Sequence, residues 1–265
     1  MSLPQRPRVA IVVPTRDPAA HPAAGALEIA RATTAHLGAD VRPVVASGAG
    51  FRFSRSVNRG FDEAPDADAW VLLNDDAFMD EGWLDAMLAA AREPGVGLVG
   101  AVLRFPDGKL QHAGGLIPVT AGEYLRAATR LRAPLWALRS LARRRFARYP
   151  YMWYHHDRVD PAHRLDFLTA ACLLVTRGCL ERVGRFDEAY EMGCEDVDYC
   201  LRALDAGLEL ALATRATGVH LEGASRSPSE RTLRSQAVFR ERWSGARIHE
   251  VTRRGGRRGV YSGLA

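Results

Sequence analysis

"AWVLLNDDAFMDEGWLDAMLAAAREPGVGLVGAVLRF", residues 69–105, contains the signals of a strand, a helix and a second strand in succession. The apolar runs at 69–74 and 96–105 are bounded by polar or turn-forming residues, which is typical of buried strands. Between them we predict a helix over 81–92, with Asp80 as its N-cap and "EPG" after its last turn. The predicted apolar face of this helix consists of Trp83, Leu84, Met87, Leu88 and Ala91. Such a unit predicts parallel strands joined by a crossover helix.

The same alternation extends to both sides of this unit. We predict strands at 8–15, 41–47, 165–177 and 208–214, and helices at 23–38, 195–207 and 227–243. The chain is therefore expected to adopt an α/β fold with a mostly parallel, doubly wound central sheet flanked by helices. Sheets of this kind bind their ligands at the carboxyl ends of the strands.

Length and composition limit the class of protein. The 265 residues suffice for one large domain or two small ones, and the 47% hydrophobic content is ordinary for a soluble globular protein. No apolar run approaches the roughly 20 residues that span a bilayer, and the run near the N-terminus is too short for a signal peptide, so we expect a cytoplasmic protein. The four cysteines form no C-x-x-C pair and are predicted to be reduced and buried: Cys172, Cys179, Cys194 and Cys200.

The positive charge is concentrated in one segment. The net charge is +5, yet residues 124–150 contain eight arginines and no acid, so the rest of the chain is slightly acidic. We interpret residues 119–164 as a basic helical insertion or lid. Three roles remain open for it: a solvated cover over one side of the molecule, a peripheral contact with the inner face of an anionic membrane, or a surface for a homodimer or an anionic ligand. A nucleic-acid partner is not expected, because the segment lacks a recognised binding motif.

Polar side chains follow two of the predicted strands at their carboxyl ends. Asp17 follows the first strand, and Asn74, Asp75 and Asp76 follow the strand at 69–74. Carboxylate oxygens suit hard divalent cations such as Mg²⁺ and Mn²⁺. Acids in front of a helix are also common simply because the helix dipole favours them, so the pattern alone leaves both interpretations open.

Two later motifs carry further candidate groups. Glu195 and Asp196 stand at the start of the predicted helix 195–207, where they are either dipole-favoured acids or a general base presented by a rigid element. Asp198 is expected to be a further acid of the first turn. His220 follows a predicted strand, and imidazole is a suitable ligand for Mn²⁺, although a single histidine is more often structural.

The order of these motifs resembles that of the family 2 glycosyltransferases, in particular the rhamnosyltransferase-like branch. The resemblance covers most of residues 8–226 outside the basic insertion. Its pieces are "VAIVVPTRD", "FSRSVNRGFDEA", "WVLLNDDAFMDEGWLDAM", "PDGKLQHAGG", the "GRFDE" plus "EDVDYCLRALDAG" block, and "VHLEGASR". The spacing of "GRFDE" and "EDVDYCLRALDAG" is the most specific of these signals.

The resemblance implies the GT-A fold and transfer of a sugar from a nucleotide-diphospho-sugar to an acceptor hydroxyl. Asp76 and His220 match the residues that hold a divalent metal, Mn²⁺ or Mg²⁺, and Asp196 matches the base of inverting members. Glu195 would contact the acceptor. The remaining positions match segments that bind the nucleotide-sugar: Pro14, Thr15, Asp17, Arg55, Asn58, Asn74 and Asp75.

One departure from the family pattern concerns the nucleotide base. The family usually places an aspartate after the second strand, where it contacts the base, but this chain has "VVASGAG" at 44–50. Asp17 or backbone groups could replace that contact, so the choice among uridine, guanosine and deoxythymidine stays open. A non-catalytic sugar-nucleotide-binding or scaffolding relative is the alternative function, and a retaining transferase is compatible with the fold.

These expectations divide the chain into three parts. Residues 1–118 form the nucleotide-sugar-binding half, 119–164 the insertion, and 165–265 the acceptor and catalytic half with a C-terminal helix, all within a single GT-A domain. The expected acceptor is a glycan, a lipid-linked sugar or a small molecule. In the first interpretation of the insertion, that segment covers the acceptor side, and in the third it contacts a second copy of the chain or an anionic acceptor. Synthesis of cell-envelope or extracellular polysaccharide and glycosylation of natural products are both possible settings.

Overall fold

A computed structural model describes residues 3–45, 51–118, 154–155, 158–221, 230–254 and 259–263. Most of the predicted insertion, including the arginine-rich segment 124–150, lies outside these ranges, so its three interpretations stay predictions. Within the described ranges, no helix combines the length and the apolar character that crossing a bilayer requires.

The described helices and strands alternate along most of the chain, as predicted. The helices are α1 (Ala23–Thr34), α2 (Phe53–Glu63), α3 (Trp83–Ala91), α4 (Arg177–Val183), α5 (Glu195–Asp205), α6 (Glu230–Arg242) and α7 (Gly245–Arg253). The strands are β1 (Val9–Thr15), β2 (Asp40–Val45), β3 (Ala69–Leu73), β4 (Ala77–Met79), β5 (Val96–Arg104), β6 (Leu110–His112), β7 (Gly115–Leu116), β8 (Tyr154–His155), β9 (Cys172–Thr176), β10 (Glu209–His220) and β11 (Val260–Ser262).

Nine of these strands form one mixed sheet, whose main path has the order β11-β10-β5-β9-β3-β1-β2. Pairs β1–β2, β1–β3, β5–β10 and β10–β11 are parallel. Strand β9 is antiparallel to both of its neighbours, β3 and β5. Short β4 and β6 add antiparallel pairs to the ends of β10 and β5. The prediction of a mostly parallel sheet is thus confirmed.

The core lies on both faces of this sheet because side chains alternate along each strand. Along β1, Val9, Ile11 and Val13 face the layer that contains α1 and α3. Ala10 and Val12 face the opposite layer, to which α2, α5 and α7 contribute. The contact between α2 and β1 is close: a Cβ at Gly60 would overlap the side chain of Val12.

Several predicted boundaries need correction. The strand predicted at 165–177 is regular only from Cys172 to Thr176, because residues 165–171 form an irregular connection before it. Asp80 does not cap α3: Gly82 occupies the N-cap with a φ of 75°, and the Asp80 carboxylate instead accepts a hydrogen bond from Thr217. The helix predicted over 23–38 ends at Thr34 and continues as a single 3₁₀ turn, Ala35–Leu37. Residues 227–229, which held the predicted cap of the last helix, lie outside the described ranges.

All four cysteines are free and buried, as expected. Burial raises the pKa of the Cys179 thiol to about 12 and raises those of the other three as well. They therefore act as small apolar side chains of the core.

Candidate active site

A short antiparallel ladder brings the two predicted metal ligands, Asp76 and His220, together. Strand β4 pairs with the end of β10 so that Ala77 lies opposite His220, and the Leu221 N–H donates to the carbonyl of Asp76 at 3.1 Å. The loop 74–77 that precedes β4 is tight, since the Ala77 N–H donates to the Asn74 carbonyl at 3.1 Å. Residues separated by more than 140 positions in sequence thereby become neighbours.

Asp76, His220 and Asn74 form one compact polar corner. The Nε2 of His220 lies 3.1 Å from Asp76 Oδ1 and 3.1 Å from Asn74 Nδ2, and both Asp76 and His220 are 9% exposed. The Nδ1 of His220 lies 2.7 Å from the Oε1 of Gln111, an acceptor, so Nδ1 carries a proton. In the neutral ring, the Nε2 lone pair then accepts a hydrogen bond from Asn74 Nδ2 and also faces Asp76 Oδ1. A carboxylate oxygen and an imidazole nitrogen 3.1 Å apart form a donor set that fits Mn²⁺.

The second corner of the site is the start of α5. Gly193 has a φ of 77° and Cys194 a φ of 73°, so the chain enters the helix through two consecutive left-handed residues. This conformation is unusual for cysteine and places Glu195 and Asp196 in the first helical turn. Both oxygens of Asp196 accept backbone hydrogen bonds, Oδ1 from the Val197 N–H at 2.8 Å and Oδ2 from the Ala170 N–H at 3.3 Å.

The two adjacent acids differ in their surroundings. Oε2 of Glu195 is enclosed and has no hydrogen-bond partner within the described part of the chain. Burial, followed by the charge of Asp196, raises the pKa of Glu195 to about 8. Burial also raises the pKa of Asp196, while the amides of Val197 and Ala170 act in the opposite direction. At neutral pH, Glu195 therefore retains a proton, and Asp196 is the better candidate for the ionised member of the pair.

The dipeptide Ala170–Ala171 joins the two corners. Its first residue donates its N–H to Asp196 at 3.3 Å, and its second accepts the N–H of Asn74 at 2.9 Å. The loop with the candidate metal ligand Asp76 and the candidate base therefore lie on two sides of the same short segment before β9. This arrangement is at the carboxyl end of β3, where the fold predicts a ligand site.

A family model described as "Glycosyltransferase like family 2" matches residues 2–246. The chain belongs to this family. The resemblance to family 2 glycosyltransferases that the motifs indicated is thus confirmed.

Two curated relatives of this family 2 protein show where similar sequences occur. The N-acetylglucosaminyl-diphospho-decaprenol L-rhamnosyltransferase of Mycobacterium tuberculosis is 32% identical over 174 residues, covering 61% of this chain and 52% of that protein. The O-antigen biosynthesis protein RfbC of Myxococcus xanthus is 31% identical over 162 residues, covering 58% of this chain and 11% of that protein. The matched region is thus about half of the first relative and a small part of the second.

The family 2 assignment agrees with the fold. The crystal structure of GalNAc-T7 with UDP, GalNAc and Mn²⁺ has a TM-score of 0.56 against this chain at 10% identity, covering 90% of this chain and 48% of that one. The chain has the GT-A fold, as the resemblance implied.

The residues that the family resemblance assigned to the nucleotide-sugar lie in several environments. Thr15 ends β1 with a buried hydroxyl that has no hydrogen-bond partner among the described residues, and Pro14 precedes it. The Asp17 carboxylate accepts the Ala19 N–H at 2.9 Å within its own loop. Asp75 is partly exposed beside Asp76. Of the departing stretch 44–50, Val44 and Val45 belong to β2, while residues 46–50 lie outside the described ranges.

Asn58 and Arg55 make contacts that sequence reasoning did not foresee. The amide of Asn58 donates to the Phe186 carbonyl at 2.9 Å and to Glu188 at 3.1 Å, and its oxygen accepts the Phe186 N–H at 3.0 Å. Arg55 donates to the other oxygen of Glu188 at 3.1 Å. Both side chains therefore bind the "GRFDE" block to α2, and their predicted contact with the nucleotide stays a prediction.

Asp198 lies in the first turn of α5, as expected, but its contacts extend well beyond that turn. Its side chain is completely buried and accepts hydrogen bonds from Arg202 Nε at 2.8 Å, Trp243 Nε1 at 2.9 Å and the Tyr190 hydroxyl at 3.1 Å. It thus fixes α5 to the end of α6 and to the loop before α5. The signal in the sequence was its position two residues after Asp196, which places it on a different side of the helix.

Proposed function

We propose that this family 2 protein is an inverting glycosyltransferase that moves a sugar from a nucleotide-diphospho-sugar to an acceptor hydroxyl. The observation that carries the proposal is the placement of Asp196 and the Asn74–Asp76 loop on either side of Ala170–Ala171. A base and a cation site at opposite sides of one short segment allow a hydroxyl to attack a sugar whose diphosphate is held at the other side.

The metal site in this proposal consists of Asp76 and His220. Over the described residues, no set of three or more His, Cys, Asp or Glu side chains could hold a metal ion, so these two residues supply only part of a coordination shell. Oxygens of the donor diphosphate and water would supply the rest, as is common for Mg²⁺ and Mn²⁺ in phosphate sites. The ion would neutralise the negative charge that develops on the departing diphosphate.

Asp196 is proposed as the general base. Its carboxylate removes the proton of the acceptor hydroxyl while that oxygen forms a bond to C1 of the sugar. The bond from C1 to the diphosphate oxygen breaks at the same time, and the nucleoside diphosphate leaves with that electron pair. The amides of Val197 and Ala170 hold the two Asp196 oxygens, so the base is oriented before substrate arrives. Glu195 stays protonated and can donate a hydrogen bond to the acceptor.

The names of two relatives support a proposal for the class of acceptor. One relative is named for rhamnosyl transfer to a sugar on a diphospho-decaprenol carrier, and another for O-antigen synthesis. We therefore propose a glycan or lipid-linked acceptor in polysaccharide synthesis, with a small-molecule acceptor as the other possibility.

A thermal-shift panel tests the donor site. UDP, GDP, dTDP and their sugar conjugates are compared with and without Mn²⁺ for the wild type, Asp76→Asn, Asp196→Asn and Asp107→Asn, the last being an exposed control acid in a turn. We expect one nucleotide to raise the melting temperature in the presence of Mn²⁺, because a ligand that binds only the folded state stabilises it. The shift should persist in Asp107→Asn and Asp196→Asn and be lost in Asp76→Asn.

Turnover distinguishes the enzyme from the scaffolding alternative. With the donor found in the panel, Asp196→Asn should lower kcat by roughly 100-fold or more while the Mn²⁺-dependent shift remains. A nucleotide shift in the wild type without any transfer or donor hydrolysis would favour the non-catalytic alternative. Absence of any shift would contradict the proposed donor site.

A further inference from the structure

The short strand β6 places two consecutive side chains at the two corners of the site. Gln111 and His112 are neighbours in an extended strand, so their side chains project to opposite faces. Gln111 contacts the last residue of β10, and His112 contacts the segment before β9. Neither residue was assigned a role by the motif comparison, although both belong to its "PDGKLQHAGG" piece.

Gln111 holds His220 by two hydrogen bonds. Its Oε1 accepts from Nδ1 of the ring at 2.7 Å, and its Nε2 donates to the His220 carbonyl at 3.2 Å. The second bond determines which way the amide of Gln111 points, and the first then determines the tautomer of the ring. The unprotonated Nε2 of His220 is thereby kept on the side of Asp76 and Asn74. An acceptor on the far nitrogen is the usual way in which proteins orient a metal-binding histidine.

His112 holds the other corner through the main chain. It is 1% exposed, and its Nε2 accepts the Thr169 N–H at 3.1 Å. Its Nδ1 must then carry the proton, which it donates to Nδ1 of His155 at 2.8 Å. The amide next to that of Thr169 belongs to Ala170 and donates to Asp196. His112 therefore fixes the segment from which the candidate base receives one of its two hydrogen bonds.

We propose that Gln111 and His112 are paired positioning residues, with Gln111 orienting the metal-binding histidine and His112 orienting the segment that holds the base. The inference rests on the proposed function, and it deepens it by assigning one strand to both halves of the reaction. Because one strand carries both residues, the distance between the metal ligand and the base is set by β6 and by the backbone of Ala170–Ala171 together.

Nuclear magnetic resonance tests the Gln111 half without substrate or metal. Long-range ¹H–¹⁵N spectra of histidine-labelled protein report which ring nitrogen carries the proton, and the His220 signal is assigned by its loss in His220→Gln. We expect the Nδ1–H tautomer in the wild type and in Gln111→Glu, which keeps an acceptor, and a mixture of tautomers in Gln111→Leu. A fixed Nδ1–H tautomer in Gln111→Leu would overturn this half of the inference.

Mn²⁺ binding gives the functional readout for Gln111. Free Mn²⁺ is quantified by electron paramagnetic resonance in titrations of each variant with MnCl₂ alone. Gln111→Leu should weaken the affinity roughly 10-fold or more, as loss of an orienting partner does, and Gln111→Glu should stay within about threefold of the wild type. Equal affinities in Gln111→Leu and the wild type contradict the inference. If Asp76→Asn also binds Mn²⁺ like the wild type, the proposed metal site itself is wrong, which separates the two failures.

Amide exchange tests the His112 half. In His112→Leu the Thr169 amide loses its acceptor, so exchange of the Thr169 and Ala170 amides should accelerate roughly 10-fold, whereas His112→Gln, which offers an oxygen near the position of Nε2, should restore slow exchange. The His220 tautomer and the Mn²⁺ affinity should not change in either variant. Unchanged exchange in His112→Leu, or an equal loss of Mn²⁺ affinity in His112→Leu and Gln111→Leu, would show that the two residues have no separate positioning roles.

Discussion

Replacing Glu195 by glutamine should stabilise the protein, and the gain should grow with pH. Burial and the neighbouring Asp196 raise the pKa of Glu195 from 4.5 to about 8, so the folded protein loses this proton only near pH 8, whereas the unfolded chain loses it near pH 4.5. Between these values the folded state binds more protons than the unfolded state, so the stability of the wild type falls as pH rises. Glutamine has no proton to lose and is free of this decrease.

The size of the effect follows from the shift. One pKa unit corresponds to about 1.4 kcal/mol, so the full change sets a ceiling of roughly 5 kcal/mol. Glu195 retains some exposed surface, and its environment can relax when the group ionises, so we expect about 2 kcal/mol at pH 8 and little difference at pH 4.5. For a chain of this length, that is a rise of roughly 4 to 8 °C in Tm.

Thermal and urea denaturation from pH 4.5 to 8.5 measure this difference directly. Glu181→Gln provides the matched control, because Glu181 is an exposed glutamate on α4. The control should show no pH-dependent gain. A constant Tm difference between Glu195→Gln and the wild type across the range would refute the reasoning, since it would mean that Glu195 ionises alike in both states.

Three further predictions concern the packing around the site. Asp198→Asn should lower the free energy of unfolding by roughly 3 to 5 kcal/mol, because Asp198 is the buried partner of a charged guanidinium. Asp205→Asn breaks a partly exposed ion pair and should lower it by less than about 1 kcal/mol. Equal decreases for the two variants in urea unfolding would contradict the burial of Asp198. Gly60→Ala should lower Tm, because the added Cβ would overlap the side chain of Val12. Gly178→Ala has open space around it in α4 and should stabilise the protein by about 0.5 kcal/mol. A higher Tm for Gly60→Ala than for Gly178→Ala would contradict the close contact between α2 and β1. The four buried thiols should react with Ellman's reagent only after denaturation, so a rapid phase in the native protein would show that a cysteine is accessible.

Sequence patterns predicted the strands in which nearly every residue is buried. Strands β1, β3 and β5 lie in the middle of the sheet and are apolar on both faces, so they appear as uninterrupted runs. Helix α2 was not predicted, although Phe53, Val57 and Phe61 recur every four positions. Its buried side also includes small and polar residues that do not indicate burial in a sequence: Ser54, Ser56, Asn58 and Gly60. These small and polar residues are buried because α2 lies very close to β1 and because Asn58 binds the backbone of another segment.

Hydrophobic periodicity also does not indicate the direction of a strand in the sheet. Strand β9 has the same apolar pattern as β3 and β5, and five consecutive buried residues do not show whether the strand runs parallel or antiparallel. Its direction is determined by the irregular segment 165–171, which brings the chain to the sheet from the side of the active site. That segment matters for function, because its last residues contact both Asp196 and Asn74.

The pair Glu195–Asp196 shows why residue type alone does not assign a role. Two adjacent carboxylic acids in the first turn of one helix have nearly the same chemistry in the sequence, and the helix dipole acts on both. The fold separates them by their hydrogen-bond donors: both oxygens of Asp196 receive backbone N–H groups, and one oxygen of Glu195 receives nothing from the described residues. Ionising one acid also makes ionisation of the other more costly. A donor that arrives from residue 170, distant in sequence, thus stabilises the ionised form of Asp196.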